Sequence, residues 1–325
     1  MKVSVLGCGR WGSFIAWYLC NQGHDVYSWG PEDDYSYKVL KETGKNEYVS
    51  LDQRICLTCD LKEAVEHAET IIISISSQGL RGFVKRILQF DVANKNFVLC
   101  MKGIEVDTGS RLSEVLVQSG ISPDKIAVWV GPGHIQAFTQ GIPNCMVIDS
   151  ENDELKRYLA DNFHSNLIRF YYGTDLIGTE IGAAAKNVMG IVAGALDGCG
   201  YVSLKGSLMS RGAREVALLI KAMGGSELSA YGLAHLGDYE ATLFSEFSHN
   251  RRYGEMLVQG EKFAKLAEGV PTAAAMKKLG EKYGVELPIT NAVYEICYGD
   301  DGLSCRERCQ KVLEKMFARD MKSEF

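Results

Sequence analysis

A basic excess is the first thing missing from this chain of 325 residues: lysine and arginine number 35 against 41 aspartates and glutamates, a net charge of −6. That balance argues against a general nucleic-acid binder and leaves room only for a local basic pocket that takes an anionic metabolite. Proline is scarce, six residues in all, and no proline-rich linker, repeat or low-complexity tract divides the chain. No apolar run reaches the roughly 18 residues that a membrane span needs. Lys2-Val3-Ser4-Val5-Leu6 reads as a strand at once, which leaves no space for a charged leader and an apolar core. The expected location is therefore the cytoplasm, with no membrane span. Histidine pairs are also missing near Cys56-Leu57-Thr58-Cys59 and near Cys305 and Cys309. Zinc ligation by those cysteines is thus a weaker reading than reduced thiols packed as small hydrophobes, and no metal is expected.

Hydrophobic residues make up 46% of the chain and charged residues 23%, the balance of a folded globular protein rather than a disordered one. The length suits two domains, each able to bury a core. In the first half, β-rich runs alternate with helical patterns. The strands expected are Val3–Leu6, Val26–Trp29, Thr70–Ile75, Phe97–Cys100, Ile126–Val130, Met146–Ile148 and Leu167–Phe170. Between them, Gly12–Asn21, Leu80–Phe90, Arg111–Ser119 and Asp153–Phe163 carry helical spacing. Such alternation predicts a doubly wound parallel sheet with helices on both faces. After Tyr172 the strands stop. Asp175–Leu196, Lys205–Met223, Arg252–Glu268, Thr272–Tyr283 and Cys305–Arg319 repeat near 3.6 residues and predict helices. The fold class expected is an α/β Rossmann-like domain over 1–173 followed by an all-α domain over 174–325, with the active site in the cleft between them.

Gly7-Cys8-Gly9-Arg10-Trp11-Gly12 places G-x-G-x-x-G directly after a strand and at the mouth of a helix. Gly7 makes the tight turn, Gly9 lets backbone approach a pyrophosphate, and Gly12 allows close helix–strand packing. The helix N-terminus offers its free N–H groups to the anion. This pattern predicts NAD or NADP as cofactor. The second strand ends in Trp29-Gly30-Pro31-Glu32-Asp33-Asp34 with no arginine for a 2′-phosphate, so NAD is favoured. Arg10 stands close enough to reach the adenosine end.

Chemistry is expected at the carboxyl ends of the strands. One delivers Lys102 and another delivers Gly131-Pro132-Gly133-His134. The helix Thr179–Gly194 is small or apolar nearly all round, which marks it as buried. Lys186 sits in it with Gly182 four residues before and Gly190 four after, leaving a bare surface that a ligand can approach. An ammonium desolvated there falls in pKa toward a value useful for proton transfer. Asp238 in Leu236-Gly237-Asp238 is positioned to orient a lysine. Ser248-His249-Asn250-Arg251-Arg252, at a helix start, reads as a phosphate cradle.

Taken in order, the motifs GCGRWG, SISSQGLR (74–81), MKG (101–103), GPGHIQAFTQGIP (from 131), GAAAKNVMGIVAG (from 182), LGD (236–238), SHNRRYG (from 248) and AEGVPTA (267–273) resemble the NAD(P)-dependent glycerol-3-phosphate dehydrogenase family over nearly the whole chain. The resemblance implies reversible reduction of dihydroxyacetone phosphate to sn-glycerol 3-phosphate, in supply of phospholipid synthesis. It implies that Lys186 is the proton donor and acceptor, that Lys102 contacts substrate near the cofactor, and that Asp238 orients the lysine. Cofactor contacts are implied for Gly7, Gly9, Arg10, Trp11, Gly12, Lys102, Ile135, His249 and Glu268. Substrate contacts are implied for Lys102, Gly131, Gly133, Lys186, Asn187, Asp238, Thr242, Ser248, His249, Asn250 and Arg251. The partners implied are a small phosphorylated substrate and, at most, a second copy in a homodimer.

The chain departs from the family at three places. His249 stands where an arginine facing phosphate or cofactor is common, Gly133 where a hydroxyl residue is usual, and Arg10 where a small polar residue is usual. A protonated His249 can still bind phosphate, with a charge that fades above about pH 6.5. Two rival readings remain open at this level. One is a related β-hydroxyacid-type dehydrogenase acting on another phosphorylated or carboxylated ketone. The other is a catalytically silent NAD(P)-sensing protein, against which Lys102, Lys186 and Asp238 all argue.

Overall fold

Runs of β-branched residues become the strands of one eight-stranded sheet in the computed structural model, which describes residues 1–318. The strands are Lys2–Leu6 (β1), Asp25–Trp29 (β2), Cys56–Thr58 (β3), Thr70–Ile73 (β4), Asn96–Leu99 (β5), Ile126–Val130 (β6), Asn144–Asp149 (β7) and Ile168–Tyr172 (β8). Their order across the sheet is β3-β2-β1-β4-β5-β6-β7-β8. Successive residues of a strand face opposite sides, and β4 shows it: Ile71 and Ile73 enter one apolar core and Ile72 the other. The N-terminal half adds Arg10–Asn21 (α1), Tyr35–Thr43 (α2), Leu61–His67 (α3), Leu80–Ile87 (α4), Leu112–Gln118 (α5), Ile135–Thr139 (α6) and Asp153–Phe163 (α7).

The sheet departs from the all-parallel expectation at one pair, because β6 and β7 run antiparallel. α6 has only five residues, a rise of about 7 Å, whereas a strand of that length spans about 17 Å. The chain does not travel back along the sheet and re-enters it from the same end. The eleven-residue α7 does make the crossover, so β7 and β8 pair in parallel.

Beyond β8 every regular element among the described residues is helical. These are Leu176–Cys199 (α8), Lys205–Ala222 (α9), His249–Gln259 (α10), Gly269–Tyr283 (α11), Pro288–Tyr298 (α12) and Cys305–Phe317 (α13), joined by short 3₁₀ and π turns. Arg319, the last residue expected in the final helix, and the rest of 319–325 lie outside the described residues. α10 begins earlier and ends sooner than its apolar spacing predicts, stopped by Gly260 at φ +77°. α8 is the axis of this half, and Ile181, Val188 and Ile191 all sit in its core. By composition α8 does reach the length and hydropathy of a membrane span, mean hydropathy 1.2, but 78% of that stretch is buried inside the protein.

α8 is pinned to the sheet half by a buried ion pair, Arg111 Nη1 to Glu180 Oε2 at 2.6 Å. The backbone N–H of Ser113 at 2.9 Å and its hydroxyl at 2.5 Å also donate to that carboxylate. Burying a charge is tolerable only when partners satisfy it in this way. α8 is thereby joined to the start of α5 and also packs against β6.

Candidate active site

The order of strands reverses at β1, which lies between β2 and β4. A doubly wound sheet takes its ligands at such a switch point. Gly7 leaves β1 there with φ +114°, and a Cβ on Gly12 would lie 1.6 Å from the Gly7 carbonyl oxygen. No side chain caps α1, so its first-turn N–H groups are available to an anion, as a dinucleotide pyrophosphate requires. The glycine loop therefore fits the cofactor. Trp11 packs edge-on to Phe14 at 5.5 Å, with Lys102 Nζ 5.8 Å from the Trp11 ring. Ile135 is fully buried in the sheet core, so only its backbone can face the cleft.

Lys102 follows β5 and Lys186 lies in the middle of α8, and one carboxylate holds both. Asp238 Oδ2 accepts from Lys102 Nζ at 2.8 Å and pairs with Lys186 Nζ at 3.0 Å. Lys102 Nζ also donates to the Gly131 carbonyl at 2.8 Å, and Lys186 Nζ to Thr242 Oγ1 at 2.9 Å. Burial, only partly opposed by Asp238, pushes the Lys186 ammonium down to about 8. The neighbouring Lys102 charge acts in the same direction. An amine poised near neutrality beside a cleft is a proton donor and acceptor in waiting.

A relay of amides fixes these groups. Asn187 Nδ2 donates to the Lys102 carbonyl at 2.9 Å, and Asn250 Nδ2 donates to Asn187 Oδ1 at 3.0 Å. The backbone N–H of Gly269 then donates to Asn250 Oδ1 at 2.9 Å. The next residue back, Glu268, accepts from the Ser77 backbone N–H at 3.1 Å and from the Ser77 hydroxyl. That contact ties the helical half to the end of β4.

Three expectations need correction. The glycines around Lys186 do not leave a surface bare for ligand. A Cβ at Gly182 would meet His235 Cβ at 2.9 Å, and one at Gly190 would meet the Thr242 methyl at 2.9 Å. Their absence of side chain lets the elements carrying Asp238 and Thr242 close onto the lysine. Arg251 is not a free phosphate ligand, because its Nε donates to Asp197 Oδ2 at 2.6 Å and its Nη2 lies 3.6 Å from Glu255. Ser248 caps α10, accepting from the Arg251 N–H at 3.3 Å, and Arg252 is exposed. His249 does not titrate near its ordinary value: burial first, then the charges of Arg10 and Lys265, push it down to about 4.

The glycine at 133 also has a local cause. Its φ is +153°, and a Cβ there would lie 2.4 Å from the Phe138 ring. Phe138 fills the space that a hydroxyl residue would need.

His134, which the sequence places only at the end of a strand, joins this cluster. Its ring lies 5.7 Å from Phe247, and its Nε2 is buried with no partner. The electrostatic influence of Arg10, Asp238, Lys186 and Lys102 all reaches it. A histidine directly after a Gly-Pro-Gly strand end was the available signal. The site lies between the two halves. It is separate from a cavity of about 640 Å³ lined by Leu208, Ile289 and Val312 of the helical half.

Family models of NAD-dependent glycerol-3-phosphate dehydrogenase match this chain twice, the N-terminal model over residues 2–156 and the C-terminal model over 175–305. A glycerol-3-phosphate dehydrogenase [NAD(P)+] of Pelodictyon phaeoclathratiforme is 32% identical, covering 100% of this chain and 99% of its own length. One from Moorella thermoacetica is 34% identical over 91% of each. The crystal structure of the glycerol-3-phosphate dehydrogenase of Coxiella burnetii superposes with a TM-score of 0.87 at 26% identity, covering 96% of this chain and 98% of that one. D-mandelate dehydrogenase, at 16% identity and a TM-score of 0.63, shares the fold. With both halves matched and the lysine pair assembled between them, the chain belongs to the NAD-dependent glycerol-3-phosphate dehydrogenase family.

Proposed function

We propose that the chain reduces dihydroxyacetone phosphate reversibly to sn-glycerol 3-phosphate, with NADH or NADPH as the source of hydride, and so supplies glycerol 3-phosphate for phospholipid synthesis. The observation that carries the proposal is the buried Lys186, held by Asp238 and Thr242 and lowered to about 8. We divide the chain into a dinucleotide domain, 1–173, and a substrate domain, 174–325.

The chemistry that a bound dihydronicotinamide supplies is hydride transfer to the substrate carbonyl carbon. Lys186 gives a proton to the oxygen as negative charge builds on it, a general-acid contribution of about 10²–10⁴-fold. In the reverse direction the same amine, deprotonated, takes the hydroxyl proton. Lys102, anchored by Gly131 and Asp238, stabilises that charge electrostatically. Asp238 keeps Lys186 protonated enough to act, and Thr242 fixes where its Nζ points. Gly7, Gly9, Trp11 and Gly12 hold the pyrophosphate side, with Ile135 and His249 beside it and Glu268 beyond Ser77. Asn187, Gly131, Gly133, Ser248 and Asn250 shape the substrate side. Arg251, already paired with Asp197, is left out of this reading.

NAD is the favoured cofactor, since the turn after β2 offers Glu32 and Asp33, both exposed, and no arginine. Asp34 is occupied in capping α2, accepting from Ser36 N–H at 2.8 Å. A kcat/KM ratio favouring NADPH would reverse that preference. A cytoplasmic location and a homodimer belong to the same proposal, and a monomer by sedimentation equilibrium would remove the second.

The deciding experiment is NADH oxidation with dihydroxyacetone phosphate. Robust turnover supports the proposal. Turnover only with another phosphorylated or carboxylated ketone moves the chain to a related β-hydroxyacid-type activity, and cofactor binding with no turnover on any ketone makes it a sensor.

A further inference from the structure

Arg10, Arg251 and Arg252 all lie in the motifs that build this site, and their environments differ. Arg251 is paired with Asp197 and Glu255, and Arg252 is exposed. Arg10 is neither. It opens α1, directly after Gly9, and its Nη1 crosses to the helical half to donate to the Phe247 carbonyl at 3.3 Å. Its guanidinium carbon lies 5.4 Å from the centre of the Tyr48 ring. Its Nε is buried without a hydrogen-bond partner. Among the described residues no carboxylate lies within 4.0 Å of it; the nearby Glu47 pairs instead with Lys265 at 3.9 Å.

A half-buried guanidinium with a buried N–H unused and its nearest carboxylate, Glu47, outside ion-pairing distance is only partly satisfied. Such an arrangement persists where a ligand supplies the missing anion. The neighbours point the same way. The buried, unpartnered Nε2 of His134 lies under the influence of Arg10, and so does the His249 ring. Burial and Arg10 hold His134 and His249 below their ordinary values, so neither imidazole brings charge at neutral pH. Arg10 is thus a half-buried cation with no carboxylate in ion-pairing contact among the described residues, set beside two neutral rings.

We propose that Arg10 is the phosphate-gripping cation of this site, binding a phosphoryl group between the glycine loop and the Phe247–Asn250 segment. A planar guanidinium with free N–H groups matches the oxygens of a phosphomonoester or diphosphate. Two ligands of the reaction carry such a group, the substrate and the dinucleotide. The proposal rests on the reading of the chain as a dehydrogenase of a phosphorylated ketone, and it adds which residue recognises the phosphate.

The test uses Arg10→Ser, Arg10→Lys and the double variant Arg10→Ser/His249→Arg, which moves the guanidinium to the opposite wall. Loss of a charged hydrogen bond predicts a rise of about 10–100-fold in the dissociation of the ligand concerned. KM for dihydroxyacetone phosphate and kcat are read at saturating NADH, and Kd for NADH and NADPH from quenching of tryptophan fluorescence. In Arg10→Ser a rise in substrate KM with kcat within about threefold assigns the group to the substrate. A rise in dinucleotide Kd assigns it to the cofactor. Arg10→Lys should retain part of the affinity, and the double variant should recover about tenfold of the loss. Both ligands unchanged within twofold in Arg10→Ser would overturn the proposal. So would a matched fall in kcat and melting temperature without rescue by His249→Arg, which would make Arg10 a strut to Phe247 only. Calorimetry with inorganic phosphate on the parent protein and on Arg10→Ser keeps the test independent of turnover. If the parent protein fails to reduce dihydroxyacetone phosphate, the functional reading falls, and the phosphate titration still decides Arg10.

Discussion

Replacing Asp238 by asparagine keeps the side-chain shape and removes the one negative charge that both lysines share. Asp238 Oδ2 lies 3.0 Å from Lys186 Nζ and 2.8 Å from Lys102 Nζ, so the two nitrogens stand within about 6 Å of each other. With an effective dielectric near 20, the lost attraction is about 5 kcal/mol for Lys186, and the uncovered repulsion between ammoniums is about 3 kcal/mol. Lys186 already sits at about 8 through burial. Losing about 5 kcal/mol of attraction lowers it by roughly 3–4 further units, at about 1.4 kcal/mol per unit. At neutral pH under about 1% of Lys186 would then carry the proton that ketone reduction needs, a loss of about 10²–10³-fold. The assay is kcat/KM for ketone reduction between pH 5 and 9. Asp238→Asn should recover activity as pH falls toward 5, because acid restores the ammonium. A variant that keeps its break near pH 8 and stays within fivefold of the parent at pH 7 would refute this reasoning.

Two further outcomes follow from the same geometry. In the parent protein, reduction should weaken as pH rises through about 8, since its acid is the ammonium, while oxidation of the alcohol strengthens over that interval because its base is the free amine; paired pH profiles in the two directions check the sign. Gly133→Ser forces a side chain onto φ +153° and against the Phe138 ring. Backbone strain of about 1–2 kcal/mol and overpacking of about 1–3 kcal/mol together predict about 2–5 kcal/mol of lost stability in urea unfolding, and a loss below 0.5 kcal/mol would contradict the packing argument.

Local chemistry was legible where one residue type answers one geometric demand. The glycine loop announced itself because only glycine fits the Gly7 turn and the contact at Gly12. Lys186 stood out as a cation within a stretch of helix, Ile181–Ala185 and Val188–Leu196, that is small and apolar. What could not be read depended on partners distant in sequence. β3 is three residues at a sheet edge, too short for a period to register. α2 buries only Tyr37 and Leu40, so its apolar stripe is thin despite a capping aspartate and a terminal glycine. The direction of β7 is set by the path of the connection through α6, which alternation of apolar residues does not encode. Gly182 and Gly190 looked like an approach for ligand, and turned out to admit His235 and Thr242 from a segment about fifty residues away. Arg251 looked free until Asp197, on α8, was seen to hold it.

The central claim is that Lys186 moves the proton, and Lys186→Met tests it most directly. Methionine fills the same buried volume without an ionisable group. Single-turnover reduction of dihydroxyacetone phosphate should fall by about 10²–10⁴-fold, while Kd for NADH, read from protein fluorescence, stays within about twofold of the parent. Turnover within tenfold of the parent, with the cofactor bound normally, would contradict the account.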